Sequence, residues 1–401
     1  MNPSPGRDPM AMLGGFRFLQ LAALGAYLIF FPVYLVERGL SLEQVGLVVT
    51  ASVAVQLFAG ILWGVLADRR GRTVPFLLQA LAVWAASVFV LPFLSSFTQF
   101  LALGVCRSLF APMMEGLITT NLFKGAREDG RGAAYSGFAV WGAMGWALGV
   151  SLGGLVTRWA GTAGAFYLAG ILFVGAAFAA SRIPEPTEPV MDPRARRTIW
   201  TSLGLLRDRR VLWLLGASLP LIISLNATSQ FFPVRLREVG GTSFLIGLTY
   251  MIPSLLEIPV FLGVGGRSDR WGSRKPLLLW AAGVYMAIYL LIYALSDPWK
   301  LLLGYALLEP LAWAPFVTGA FTLVAELVPR KNWATGQTLF SLWLWSVGGI
   351  LGPAFGGIIA QRWGLNALFL VLAVGALLSG VLFTGLPGRE GPRRPPGQGS
   401  P

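Results

Sequence analysis

Four charged residues lie inside long apolar stretches of the sequence, where a charge is costly unless it is paired or faces water. They are Arg107, Glu115, Glu257 and Glu309. A carboxyl group in such a place can take up and release a proton, and a guanidinium group can bind an anionic or hydroxylated group. These residue types therefore predict a cavity that binds a solute, exchanges protons, or does both.

The chain repeats itself with an offset of 201 residues. The sequence Phe-Phe-Pro-Val at 30–33 returns at 231–234, and the register then continues without an insertion to the next loop. Duplication into two membrane-embedded halves is typical of secondary transporters. The same register matches Glu257 with Gln56, so one cavity position holds a carboxyl group in one half and an amide in the other.

A carboxyl group can carry a proton and an amide cannot, so Glu257 is the first candidate for proton coupling. Glu115 and Glu309 are the further candidates, and Arg107 is the candidate for binding a polar group of the solute. The alternative is a structural ion pair with Arg107, although one guanidinium can neutralise only one of the three carboxylates.

Amide and aromatic side chains in the apolar stretches are candidates for the same cavity. Gln56 and Asn226 are predicted to line it, and hydrogen bonding between helices is the alternative for both. Tyr27, Trp146 and Trp313 lie in the middle of predicted helices, where stacking on a solute is the alternative to core packing.

Composition identifies the elements that must position these residues. Hydrophobic residues make up 55% of the chain, charged residues 12%, and the mean hydropathy is +0.67. A bilayer crossing takes about 20 apolar residues. We therefore predict an all-α membrane protein with twelve transmembrane helices in two pseudo-twofold-related six-helix bundles, approximately at 14–36, 43–66, 74–94, 98–121, 133–156, 161–181, 211–235, 243–265, 276–295, 300–325, 334–360 and 364–386.

The net charge of +13 is explained by the distribution of basic residues between the two sides of the membrane. With a cytoplasmic N-terminus, 24 of the 31 Arg and Lys residues fall in cytoplasmic segments, six fall outside, and Arg107 lies within a helix. Basic residues concentrate on the cytoplasmic side of membrane proteins. We therefore expect a multi-pass protein of the cytoplasmic (inner) membrane with both termini in the cytoplasm, whose basic surface meets lipid and not nucleic acid.

The domain boundaries follow from polar interruptions. We predict an N-terminal bundle over 1–183, a Pro- and Arg-rich cytoplasmic linker over 184–209, a C-terminal bundle over 210–387 and a disordered cytoplasmic tail over 388–401. The chain has one cysteine and no histidine, which argues against zinc sites and hydrolytic triads, so no metal or cofactor is expected.

A loop motif follows the second predicted helix and is duplicated with it. Both halves contain a glycine followed four residues later by an aspartate. A basic residue comes directly after the aspartate, and a second glycine lies three residues beyond it. This motif resembles the signature loop of the major facilitator superfamily, and the resemblance covers residues 14–386. The residues that carry it are Gly64, Asp68, Arg69, Gly71 and Arg72 in the first copy and Asp269, Arg270 and Gly272 in the second.

The resemblance implies a conformational latch at these loops. In the family the first loop is thought to hold the outward-facing state. Asp68 would face the positive end of a helix that begins near Thr335 on the same side of the membrane, and Asp269 would be the weaker counterpart. A role limited to anchoring by positive charge is the alternative. Several sequence stretches, among them Gly25 to Gly46 and Glu257-Ile-Pro, look like the branch that contains the lactose, nucleoside and phenylpropionate permeases.

Glycines at every fourth position form two matching ladders in the fifth and eleventh predicted helices. Small residues at this spacing let helix backbones approach closely. In the family these helices lie at the junction of the halves. The ladders could therefore form a sliding contact during alternating access, and static close packing is the alternative role. The ladders consist of Gly145, Gly149 and Gly153, and of Gly348, Gly352 and Gly356.

Together these features predict a monomeric secondary active transporter, not an enzyme, that moves a small organic solute by proton-coupled symport. A proton-linked efflux antiporter for a drug or sugar is the alternative, distinguished by the direction of flux. A membrane-embedded enzyme would need a set of reactive side chains. A channel would need a symmetric filter, and a sensor would need an additional domain. The sequence offers none of these.

Overall fold

A computed structural model describes residues 9–70, 74–114, 131–183, 204–268, 273–329 and 332–386, and the regular elements in these ranges are all helical. The N-terminal half contains α1 (Pro9–Leu28), α2 (Phe31–Glu37), α3 (Leu42–Arg70), α4 (Val74–Val90), α5 (Phe97–Ser108) and α6 (Arg131–Ala180). The C-terminal half contains α7 (Arg209–Glu238), α8 (Ser243–Ser268), α9 (Lys275–Ala294), α10 (Pro298–Leu327), α11 (Trp333–Leu342), a π-helical segment (Trp343–Val347) and α12 (Gly348–Thr384). The all-α prediction is confirmed.

Within the described ranges, nine helical segments are long and apolar enough to cross a membrane. Two of them, Val140–Ala180 with 41 residues and Thr335–Thr384 with 50, far exceed the roughly 20 residues of one crossing. Each is interrupted by a glycine with non-helical dihedral angles, Gly161 and Gly364. These breaks directly follow the gaps at 157–160 and 361–363 between predicted spans, at the first residue of the next span in each case. The predicted span at 98–121 continues beyond residue 114, where the described range ends.

The duplication is visible in the backbone as well as in the sequence. Among the described residues, positive φ angles occur at Gly39 (85°), Gly161 (61°), Gly240 (88°) and Gly364 (85°), all glycine. Gly39 and Gly240 are 201 residues apart, and Gly161 and Gly364 are 203 apart. A side chain disfavours this conformation, so both copies have kept glycine at the sharp turn between consecutive helices.

The first glycine ladder packs α6 against α1 inside the N-terminal half. A Cβ atom on Gly145 would overlap the carbonyl oxygen of Phe18, and one on Gly149 would overlap that of Ala22. A Cβ on Gly153 would lie 2.8 Å from the ring of Phe30. This arrangement corresponds to the close-packing alternative.

The second ladder does the same for α12 and α7 in the C-terminal half. A Cβ atom on Gly352 would lie 2.8 Å from the backbone nitrogen of Ala227, and Gly356 lies against Phe231. Gly348 is covered by Ile222 and by the amide of Asn226. Both ladders therefore hold helices together within one half and do not form the contact between halves.

Other glycines form that contact, where α3 packs on α12 and α6 packs on α8. A Cβ on Gly46 would overlap the carbonyl oxygen of Pro353 and lie 3.3 Å from the Cα of Gly357. In the second contact, a Cβ on Gly247 would lie 3.4 Å from the Cα of Gly154. The two contacts are related by the duplication, since Gly46 and Gly247 are 201 residues apart.

Gly149→Ala should destabilise the protein by about 1–3 kcal/mol, because its methyl group has no space against Ala22 and α1 must move away from α6. The unfolding temperature in detergent measures this effect. Gly216→Ala is the matched control, since nothing lies within 4 Å of a Cβ built there. Equal unfolding temperatures for the two variants would contradict tight packing at Gly149.

Candidate functional site

A cavity of about 630 Å³ is lined by both halves of the chain. Its wall is formed by α1, α3 and α6 from the N-terminal half, and by α7 to α10, the π-helical segment and α12 from the C-terminal half. Most of its exposed lining area is apolar, and carboxyl, amide and hydroxyl groups are placed within it. This combination is typical of sites that bind small organic molecules.

Four of the six residues predicted to form the cavity line it: Gln56, Asn226, Glu257 and Glu309. Gln56 and Glu257, which the duplication matches, face the same space from the two halves. Glu115 lies outside the described residues. Arg107 is described and does not line this cavity.

Glu257 and Glu309 bring two carboxyl groups into one cavity, because α8 and α10 pack side by side. Among the lining residues that the structure describes there is no arginine or lysine. The Oε2 atom of Glu309 is buried and has no hydrogen-bond partner. The cavity therefore carries acidic groups whose charge no basic side chain in its described lining balances.

Prolines accompany both glutamates. Pro259 follows Glu257 by two residues in α8, and Pro310 follows Glu309 directly in α10. A proline inside a helix removes one backbone hydrogen bond and bends the helix. Both acidic residues are thus located at points where the regular helix is weakened.

Four tyrosines surround the two glutamates, and the sequence analysis did not identify them. They are Tyr250, Tyr285, Tyr289 and Tyr305. The hydroxyl groups of the first three are buried without a hydrogen-bond partner. A signal exists in the sequence, because five of the nine tyrosines fall between residues 250 and 305. Trp146 and Trp313, two of the three aromatic candidates, also line the cavity, whereas Tyr27 does not.

The two sides of the cavity differ in polarity. The N-terminal half contributes Gln56, Trp146 and four aliphatic residues, which are Leu28, Ile29, Val49 and Val53. The C-terminal half contributes both carboxyl groups, the four tyrosines and the hydroxyl and amide groups of residues 226–230. A bound molecule therefore meets an apolar wall on one side and a polar, acidic wall on the other.

Asn226 helps to position the π-helical segment in the cavity wall. Its Nδ2 atom donates to the carbonyl oxygens of Ile222 at 2.9 Å and Leu344 at 3.0 Å. The segment then presents Trp345, whose ring centre lies 5.8 Å from that of Trp313. π-Helical turns frequently occur at functional sites. The contacts of Asn226 correspond to the predicted alternative of hydrogen bonding between helices, although it also lines the cavity.

Arg107 lies in the core of the N-terminal half, inside a box of aromatic rings. Its Cζ atom is 4.4 Å from the ring centre of Tyr27, 4.6 Å from that of Trp84 and 5.6 Å from that of Phe31. The residue is 5% exposed, and its Nε and Nη1 atoms have no hydrogen-bond partner. Cation–π contacts compensate part of the cost of burying this charge.

The cavity is closed on the side where α2 ends. Glu37 accepts a hydrogen bond from Thr162 at 2.6 Å and forms an ion pair of 3.1 Å with Arg237 of the other half. On the same side, the backbone nitrogen of Leu42 donates to the side chain of Gln361 at 3.0 Å. These polar contacts, together with the glycine contacts, join the halves beyond the cavity.

The latch predicted at the duplicated loop falls outside the part of the chain that the structure describes. Gly71, Arg72, Asp269, Arg270 and Gly272 belong to undescribed ranges. The remaining members end α3, where the backbone is helical and the side chains are not described; they are Gly64, Asp68 and Arg69.

The MFS_1 like family matches this chain over residues 10–371. The chain belongs to this family of major facilitator superfamily transporters. It is 26% identical to a maltose permease from Geobacillus stearothermophilus, with 94% of both chains covered. It is also 26% identical to the multi-drug resistance efflux pump PmrA of Streptococcus pneumoniae, with 88% of this chain and 89% of PmrA covered.

Solved transporters of the superfamily share the fold. The nucleoside transporter NupG superposes with a TM-score of 0.82 at 16% identity, covering 95% of this chain and 99% of NupG. A bacterial homologue of the lysosomal transporter Spinster, in an inward-facing and occupied conformation, gives a TM-score of 0.74 at 14% identity, covering 94% and 97%. This superfamily member is therefore a multi-pass membrane transporter and not an enzyme.

Glu37→Gln should weaken the closure on the side of α2, because it removes the charge that pairs with Arg237 across the halves. A partly exposed ion pair contributes up to about 1 kcal/mol, so the open population should rise about fivefold. The separation of the halves is measured by double electron–electron resonance between spin labels at positions 159 and 363. Trp159 and Trp363 are exposed and lie beside the turns at Gly161 and Gly364.

Glu238→Gln is the matched control. Glu238 is the duplicated counterpart of Glu37, but its partner Arg235 lies in the same half. Cys106 is replaced by serine in every variant, since it is exposed and would also react with the label. An equal shift for Glu238→Gln, or no shift for Glu37→Gln, would contradict a closing role for the ion pair between the halves.

Proposed function

We propose that this transporter moves a small organic solute across the cytoplasmic membrane by alternating access, coupled to the movement of protons. One observation carries the proposal. Glu257 and Glu309 share the cavity between the halves, without a basic residue in its described lining, and the matched position of the N-terminal half holds Gln56. A carboxyl group there can bind a proton, and the amide cannot.

Protons would act through the charge of the cavity. Two carboxylates in a largely apolar space repel each other and are poorly solvated, and each proton bound removes one charge. The free energy needed to close the cavity off from water therefore depends on whether the carboxyl groups are protonated. This dependence couples proton binding to the change of access.

Alternating access requires that the contacts beyond the cavity separate. We propose twelve spans in two six-helix bundles, joined by the linker at 184–209, with both termini in the cytoplasm as the distribution of basic residues favours. In that orientation the contacts of Glu37 close the outer side, and the cavity faces the cytoplasm. The latch around Asp68 and Asp269 would then form on the cytoplasmic side when the outer side opens.

Symport is the first candidate for the coupling, and proton-linked efflux of a drug or sugar is the second. The relatives PmrA and MdtG, the latter 26% identical in Enterobacter lignolyticus, are named as multidrug resistance proteins, which favours keeping the second candidate. In symport the solute accumulates on the side towards which protons flow. In exchange it accumulates on the opposite side.

Glu257→Gln should abolish solute accumulation driven by a pH jump in proteoliposomes while solute counterflow continues, because the amide binds no proton and leaves the cavity shape unchanged. The solute is first selected by counterflow from a panel of a disaccharide, a nucleoside and aromatic amines. The sign of the accumulation assigns symport or exchange.

Glu43→Gln is the control, since Glu43 is exposed at the start of α3 and lies outside the cavity. Unchanged proton-driven accumulation by Glu257→Gln would remove Glu257 as the proton carrier. A wild-type flux indifferent to both pH and membrane potential would refute proton coupling altogether.

A further inference from the structure

We propose that the cavity binds an organic ammonium ion that carries an apolar aromatic or alkyl body. This inference rests on the proposed function, since it names the chemical class of the solute for the same cavity. Three features of the lining carry it: the charge of the cavity, its aromatic rings, and the different polarity of its two sides.

The charge of the cavity selects against anions. Glu257 and Glu309 are the charged residues of its described lining, and Arg107, a basic residue buried in the N-terminal half, is enclosed by Tyr27 and Trp84 outside that lining. An anionic solute would meet two carboxyl groups and, among the lining residues that the structure describes, no arginine or lysine. An ammonium ion would instead neutralise one carboxylate and supply a hydrogen-bond donor to the buried Oε2 atom of Glu309, which has none.

The aromatic rings favour a cation as well. Tyr285 and Tyr305 line the cavity next to the carboxyl groups, and Trp313 and Trp345 face it as a pair with ring centres 5.8 Å apart. Aromatic faces attract cations most strongly where water is excluded. Tyr285 is 2% exposed and its buried hydroxyl lacks a partner, so a polar ligand group would also satisfy this atom.

The apolar side excludes a polyhydroxylated solute and defines the rest of the ligand. A sugar presents hydroxyl groups in all directions, and each would need a partner or water. In the described lining of the N-terminal side, Leu28, Ile29, Val49 and Val53 offer none, and Gln56 is the main polar group there. An ammonium group at the C-terminal wall with an apolar body against the N-terminal wall fits both sides at once.

This ligand class has a consequence for the coupling. The charge-assisted hydrogen bond from an ammonium group requires an ionised carboxylate, so binding of the cation and binding of a proton to the same carboxyl group oppose each other. Solute and proton then occupy Glu309 alternately, which favours exchange, the second candidate above. Net charge balances, because one monovalent cation replaces one proton at the same oxygen.

Three indole compounds with the same ring test the proposal by equilibrium binding to the full chain in nanodiscs, measured by calorimetry. Tryptamine is a cation, tryptophol is neutral and indole-3-propionate is an anion. We expect tryptamine to bind at least about tenfold more tightly than tryptophol, because a charge-assisted hydrogen bond replaces a neutral one, and we expect indole-3-propionate not to bind.

Glu309→Gln should bring the affinity for tryptamine down to that for tryptophol while the affinity for tryptophol stays within about twofold, which also shows that the variant is folded. Glu43→Gln should keep the preference. Equal binding of tryptamine and tryptophol by the wild type, tighter binding of the anion, no binding of tryptamine, or an unchanged preference in Glu309→Gln would each overturn the proposal.

The binding experiment and the flux experiment test the two proposals independently. Proton-driven flux of a neutral solute without a preference for cations would overturn the ligand class and leave the transport proposal intact. Charge-selective binding without any proton-dependent flux would overturn proton-coupled transport and leave the ligand class intact.

Discussion

A charged group inside a membrane protein must be shielded from the apolar environment, and the two halves of this transporter shield theirs in opposite ways. In the N-terminal half, Arg107 is enclosed by the rings of Tyr27 and Trp84. The residues 201 positions later are Thr228 and Tyr285, which line the open cavity together with the glutamates. The corresponding positions therefore enclose a cation in one half and belong to the lining of the cavity in the other.

The glycine contacts are of two kinds, one within each half and one between the halves. The ladders in α6 and α12 lock each of these helices to a neighbour in its own half, so each half can move as a unit. The contacts of Gly46 with Gly357 and of Gly247 with Gly154 lie between the halves, on the side that Glu37 and Arg237 close. Small residues let the helix backbones approach closely at these contacts. In the proposed alternating access, these are contacts that must separate.

Much of the fold and part of the cavity could be predicted from the sequence. Hydropathy predicted the helices, and the breaks at Gly161 and Gly364 lie within one residue of the predicted gaps between spans. Gln56 and Glu257 were matched by register alone, and they do share the cavity. The tyrosines were missed because each lies on a different part of α8, α9 or α10, where a tyrosine in an apolar helix is indistinguishable from a core residue.

The sequence by itself determined the duplication, the helical class and the identity of the buried charges, because these depend on residue type, spacing and hydropathy along one chain. Only the tertiary structure decided which charges share a space. Arg107 and Glu309 have similar sequence environments, yet one is enclosed by aromatic rings and the other faces the cavity. The reason is that the partners of a buried charge come from other helices, and the rotation of a helix about its axis is fixed by packing and not by its own sequence.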